Sequence, residues 1–175
     1  MPDLRERVER ERGLLKRIQL HVPGFAGYRR REDIRTADNM LRIQIANMIK
    51  DVRGTVEEAR AALAENYQIK ELDKVGRLIN RFQSLEGKVR HAEGGYSGIS
   101  ADIRIEEDEM NRLYEYDAAL LDAAVTMGEE ANTLMDAANN GDVPEHIAKL
   151  RSLVKDFEDT FQKRMLVITQ TEVRK

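Results

Sequence analysis

Proline occurs only at positions 2, 23 and 144 of the 175 residues, and between these breakers the apolar side chains recur at helical spacing over long stretches. Proline ends or kinks a helix because it lacks an N–H and clashes with the preceding turn. A chain so free of it is committed to long helices. The clearest stretch runs from about Arg29 to Glu65. Its apolar positions are Ile34, Ala37, Leu41, then Ile45, Met48, Val52, then Val56, Ala59, Leu63, a 3-4-4 spacing that repeats every eleven residues. Such a repeat corresponds to about 3.67 residues per turn, close to a straight helix or one with slight right-handed supercoil. At about 1.5 Å per residue this helix would be about 55 Å long. Gly54 interrupts it at a cost of about 1 kcal/mol relative to Ala and is expected to mark a close helix crossing.

Four further segments carry the same period. The first helix is expected from about Asp3 to His21, with Leu4, Val8, Leu15, Ile18 and Val22 on one stripe and Pro23-Gly24 ending it. The third, about Ile69 to Ala92, places Val75, Leu78, Phe82, Leu85, Val89 and Ala92 in the heptad-like alternation of a coiled coil. The fourth, about Glu106 to Asn139, aligns Met110, Leu113, Leu120, Ala124, Met127, Ala131, Leu134 and Ala138 on one seam, with Asp117 intruding. Asn140-Gly141 closes it, and Pro144 opens a fifth helix through Ile147, Leu150, Val154, Phe157, Phe161, Met165 and Ile168. No segment alternates with the period of a strand. The expected fold is all-α: residues 23–175 form an elongated antiparallel up-down-up-down bundle of four helices, and residues 1–22 add an N-terminal amphipathic helix. Links of about five residues between the second and third and between the fourth and fifth helices favour antiparallel neighbours.

Composition removes several classes of function. There is no Cys and hence no disulfide scaffold, thiol catalyst or Cys-ligated metal. Aromatics are 5% of residues and Trp is absent, which argues against a stacking platform for nucleic acid, as does a net charge of −3. A di-iron bundle needs Glu-x-x-His pairs, yet the residues three before His21, His91 and His146 are Ile18, Lys88 and Val143. His91 reads as a helix-end cation and His146 as an exposed first-turn residue. No phosphate loop, GxSxG or HExxH occurs. The expectation is therefore no enzyme, no cofactor and no metal. No apolar run approaches the roughly 18 residues of a membrane span, and the opening MPDLRERVER lacks the apolar stretch of a signal peptide. The expected location is cytoplasmic. The first helix can also lie on an anionic membrane, as a weak anchor because of its four acidic residues and its lack of Trp or Phe.

In an antiparallel bundle the second and fourth helices start at one end, where the loops 23–28 (PGFAGY) and 94–100 (GGYSGIS) would meet. Each carries Gly, an aromatic, a small residue and Gly in that order, and Phe25 and Tyr96 are expected to plug the open end. Arg29, Arg30 and Arg31 follow, at a helix start where the macrodipole is already positive. They can pair with Glu106, Glu107, Asp108 and Glu109, or, with Tyr28, Tyr96 and Gly98, contact an anion or an acidic partner. Residues 1–35 hold ten Lys/Arg against six Asp/Glu, whereas residues 101–142 hold two against twelve, a polarity that can drive head-to-tail association. Asp117 is the chemically suggestive seam residue. Buried, it should pair with an Arg or a Tyr hydroxyl and fix helix register. A small rotation would instead bury Tyr116 and leave Asp117 at the edge, and the ease with which Tyr occupies interfaces favours that rotation.

Two stretches, PGFAGYRRREDIRTADNMLR at 23–42 and YSGISADIRIEEDEMNRLYEYDAALL at 96–121, together resemble a group of small all-helical prokaryotic proteins. That group carries a PG-x-x-GY-x-x-[RK]E-x-x-R-x-AD-x-x-LR element and a Y-x-G loop followed by an acidic helix with LYE-[FY]-D-x-ALL. Pro23, Gly24, Gly27, Tyr28, Glu32, Arg35, Ala37, Asp38, Leu41 and Arg42 match the first element, and Tyr96, Gly98, Leu113, Tyr114, Glu115, Tyr116 and Asp117 the second. The resemblance brings no activity with it. It implies a shared bundle end and places Tyr114 and Asp117 in a recurring motif, as members of an internal polar network. The function expected is a non-enzymatic helical scaffold or adaptor acting through contact with a protein partner or with itself as a homo-oligomer. The alternative is an accessory bundle that senses an anion or other ligand at the end formed by loops 23–28 and 94–100.

Overall fold

A computed structural model of the chain describes the backbone of residues 4–28, 34–92 and 107–173, and the side chains of residues 6–28, 34–92 and 107–168. Five helices account for nearly all of it: α1 (Leu4–His21), α2 (Ile34–Glu65), α3 (Ile69–Arg90), α4 (Glu107–Asn140) and α5 (Val143–Val173). No strand occurs among the described residues. The links are tighter than the spacing suggests, residues 66–68 between α2 and α3 and residues 141–142 between α4 and α5.

α2 buries the eleven-residue stripe, apart from the half-buried Ile34 and Met48, and a second row beside it, Asp38, Arg42, Ala46 and Ile49. The face is doubled because α2 is gripped from two sides, by α3 and by α4. The side-chain contacts give the directions. Arg42 reaches the carbonyls of Val89 and Arg90, while Arg60 reaches that of Leu72, so α2 and α3 run antiparallel. Arg164 meets Asp117 and His146 meets Glu130, which makes α4 and α5 antiparallel. α2 and α4 run parallel: Asp38 lies near Asp117 through their common partner Arg164, and Asn66 Nδ2 donates to the Ala138 carbonyl at 3.0 Å. α5 also packs on α3, and Arg81 pairs with Glu158 across that seam at 3.0 Å.

α1 lies along α4 in the same direction, with Arg10 on Glu115 and Arg17 on Asp122. Ile18 and Val22 are buried beneath it. The chain then turns back through Gly24 and Gly27, at φ +82° and +87°, backbone angles that L side chains rarely adopt. This return drives Phe25 and Tyr28 into the core, where their rings meet edge to face with centroids 5.4 Å apart.

Gly54 differs from expectation. A Cβ built there would meet nothing within 4 Å, so no helix crosses closely at that point. Conversely Tyr67, fully in solvent at 87% exposure, holds φ +57° in the tight α2–α3 link, a place where glycine is the ordinary occupant. The left-handed conformation costs a residue with a Cβ about 1–2 kcal/mol, and a mid-helix glycine costs about 1 kcal/mol. Gly54→Ala and Tyr67→Gly should therefore each stabilise the protein, by up to about 1 kcal/mol after the glycine entropy is counted. Thermal unfolding checks this, and an unchanged midpoint for Gly54→Ala would mean that a neighbour does sit against that face.

Candidate functional site

Where α2, α4 and α5 meet near the start of α2, the apolar core gives way to five charged or hydroxyl-bearing side chains. Asp38, Arg42, Asp117, Arg164 and Tyr28 are each no more than 2% exposed. Arg164 sits at the centre. Its Nε donates to Asp117 Oδ1 at 2.5 Å, and its Nη2 lies 2.7 Å from Asp38 Oδ1 and donates to the Tyr28 hydroxyl at 3.1 Å. That hydroxyl in turn donates to Asp117 Oδ2. Asp38 Oδ2 accepts from Arg42 Nε at 2.7 Å. The far end of Arg42 donates to the carbonyls of Val89 at 3.2 Å and Arg90 at 3.0 Å, at the C-terminal end of α3 where the helix dipole favours a cation. The Tyr28 amide donates to the Tyr114 hydroxyl at 3.0 Å, and the two rings are stacked at a tilt.

Two carboxylates thus face two guanidiniums, and the centre is electrically balanced. Burial pushes the Asp38 carboxyl up, but Arg164 and Arg42 outweigh it and hold it below the ordinary aspartate range. Asp117 has one guanidinium and a hydroxyl as partners; burial dominates there and keeps its carboxyl above the ordinary value. Burial, with Asp117 beside it, raises the Tyr28 phenol well above its usual range, so the hydroxyl stays protonated and donates. The rotation that would bury Tyr116 at the expense of Asp117 is not the one adopted: Asp117 is fully buried and Tyr116 only half so. The reason is that Arg164 and Tyr28 supply every hydrogen bond the carboxylate needs.

Tyr28, Tyr114 and Asp117 are therefore brought together, with Asp38 and Arg42 from the same sequence stretches. Arg29, Arg30, Arg31, Tyr96 and Gly98 lie outside the described residues, and so do the meeting of Phe25 with Tyr96 and the pairing of the three arginines with Glu106–Glu109. Sequence reasoning missed Arg164. Its signal was positional: it stands seven residues after Phe157, three after Phe161 and four before Ile168, on the buried stripe of α5. His146 was also misjudged. It is half-buried, and its Nδ1 lies 2.7 Å from Glu130, which Lys149 also reaches at 3.1 Å. Burial raises the Glu130 carboxyl, and these two partners more than offset it, leaving it below the usual glutamate range.

Among the described residues no group of three or more His, Asp or Glu is placed to hold a metal ion, and no helix is long and apolar enough to cross a membrane. Comparison with known protein families, with curated proteins and with solved structures finds no match for the chain.

Breaking one side of a buried, hydrogen-bonded ion pair costs about 3–5 kcal/mol, because the abandoned charge stays in the core. Arg164→Met should lose about that much in urea unfolding. Tyr28→Phe, which removes one donor from Asp117, should lose about 1–3 kcal/mol. Acid provides a second check. A carboxyl held low in the folded state contributes stability that is present above the unfolded value of about 3.9 and disappears as the pH falls through the folded one. The deficit of Asp38→Asn relative to wild type should therefore narrow as the pH drops below about 4. A deficit that stays constant to low pH would show that Asp38 is not the paired carboxylate described.

Proposed function

We propose that the chain is a non-enzymatic helical scaffold or adaptor that works through protein–protein contact and self-association. Its frame in this reading is an up-down-up-down bundle of α2 to α5, with α1 as an added amphipathic helix. The observation that supports this is the internal balance of the polar centre. Every charged group there is bonded to another, so the centre offers no free acid, base or nucleophile to a substrate. Such a centre serves register and rigidity, and leaves the long outer faces of the helices for recognition.

The alternative is the ligand-sensing end, and what favours it is the fixed exit of the chain at Tyr28. The amide and hydroxyl of Tyr28 are both tied into the core immediately before Arg29–Arg31. Light scattering with pull-down of a stoichiometric protein separates the two. An oligomeric mass or a stoichiometric protein partner is expected, and deletion of residues 1–21 should lower both the mass and the stability if α1 takes part. A monomer without a partner, stabilised by phosphate through Arg29–Arg31 and no longer stabilised after their replacement by Gln, would establish the sensor instead.

A further inference from the structure

The outer strip of α4 carries a carboxylate every seventh residue: Glu115, Asp122, Glu129 and Asp136. Seven residues are two helical turns, so the four lie on one slowly drifting line, spaced by about 10.5 Å. The upper two are taken. Arg10 and Arg17 of α1, themselves seven residues apart, bind Glu115 and Asp122. The molecule thus contains its own example of how this line is read: a helix laid alongside with cations at the same pitch. α1 then ends at His21, and Glu129 and Asp136 are left exposed with no ion-pair partner among the described residues.

A matching pair of cations stands elsewhere. On α3, Lys70 and Arg77 are seven residues apart, both exposed, and neither has an ion-pair partner among the described residues. Arg77 borders a shallow groove of about 180 Å³ between α3 and α5 whose other lining residues are Lys74, Leu78, Arg81 and Arg151, with no carboxylate among them. Cations crowded at i, i+3 and i, i+4 repel one another within a helix; Glu71 answers Lys74 and Glu158 answers Arg81, which leaves Arg77 without an ion-pair partner among the described residues. An acidic partner relieves that repulsion. α3 carries a net +3 and α4 a net −8.

Resting on the self-association proposed above, we infer that Lys70 and Arg77 of one copy dock on Glu129 and Asp136 of the next, flank to flank. α3 and α4 each flank α2 and α5 from opposite sides, so the two patches of one chain cannot meet each other. The contact joins unlike surfaces and is heterologous; it continues into a ring or a filament instead of closing as a symmetric dimer. All four residues are exposed and without ion-pair partners among the described residues, so reversing their charges leaves the fold in place.

Light scattering on the full chain tests this. Wild type should show a multiple of its 20.1 kDa mass at about 0.01 M ionic strength, where the Debye length is about 30 Å, and a single chain at about 1 M, where it is about 3 Å. Lys70→Glu/Arg77→Glu and Glu129→Lys/Asp136→Lys should each be monomeric at low salt, with unchanged helical signal and thermal midpoint. Mixing the two variants, or combining all four substitutions in one chain, should restore the assembly. A wild type that is monomeric at low salt, including one whose basic groove binds polyphosphate instead, would overturn the inference. So would reversal variants that keep the wild-type mass, or a mixture that stays monomeric. An assembly that survives both reversals but falls apart on deletion of residues 1–21 would refute this contact while leaving the scaffold reading intact.

Discussion

The buried guanidinium of Arg164 is the charge on which the rest of the arrangement depends. α2 and α4 run side by side and bring two aspartates, Asp38 and Asp117, toward the same point in the core. Two carboxylates sharing an apolar site cannot both ionise without a cation between them. α5 delivers that cation, and its planar fork reaches both acids and the Tyr28 hydroxyl at once. Sliding any one of the three helices by a turn, about 5.4 Å, would break these contacts and strand a charge. Apolar burial along the seams supplies most of the stability, because an ion pair taken out of water loses in desolvation much of what it gains in attraction. What the ion pairs add is a single permitted alignment.

The inner and outer charges of this molecule work under different rules. Inside, four charges are linked in a chain, Arg42 to Asp38 to Arg164 to Asp117, out of reach of salt. Outside, Arg10–Glu115 and Arg17–Asp122 are exposed pairs of the kind worth at most about 1 kcal/mol each. α1 is thus held to α4 by its apolar side, and its arginines select where along α4 it comes to rest. Two arginines of the basic first segment thus answer two carboxylates of the acidic fourth helix within one chain.

Hydrophobic periodicity made all five helices legible, within a residue or two where their ends are described, because burial of a stripe is a property of each segment alone. The polar centre was less so. A charged residue on a buried stripe is ambiguous until its partner is known, and here each partner comes from a different helix. Asp117 is visible as an intruder, yet the ease with which Tyr packs points it outward. Arg164 escapes notice because the stripe of α5 can be drawn through its neighbour Met165. His146 looked exposed because its sequence neighbours give no hint of Glu130, sixteen residues earlier on the adjacent helix. Gly54 carried no crossing at all; glycine in a helix has several causes, and spacing does not separate them.

The position of Arg164 along the chain has a consequence for how the molecule is made. During synthesis Asp38 and Asp117 leave the ribosome well before residue 164. Until α5 arrives, the surface shared by α2 and α4 carries two acids with one guanidinium, that of Arg42, and cannot dry out. The polar centre is therefore complete only once α5 has joined α2 and α4. A chain cut short before α5 keeps Arg42 beside Asp38 but leaves Asp117 without its guanidinium.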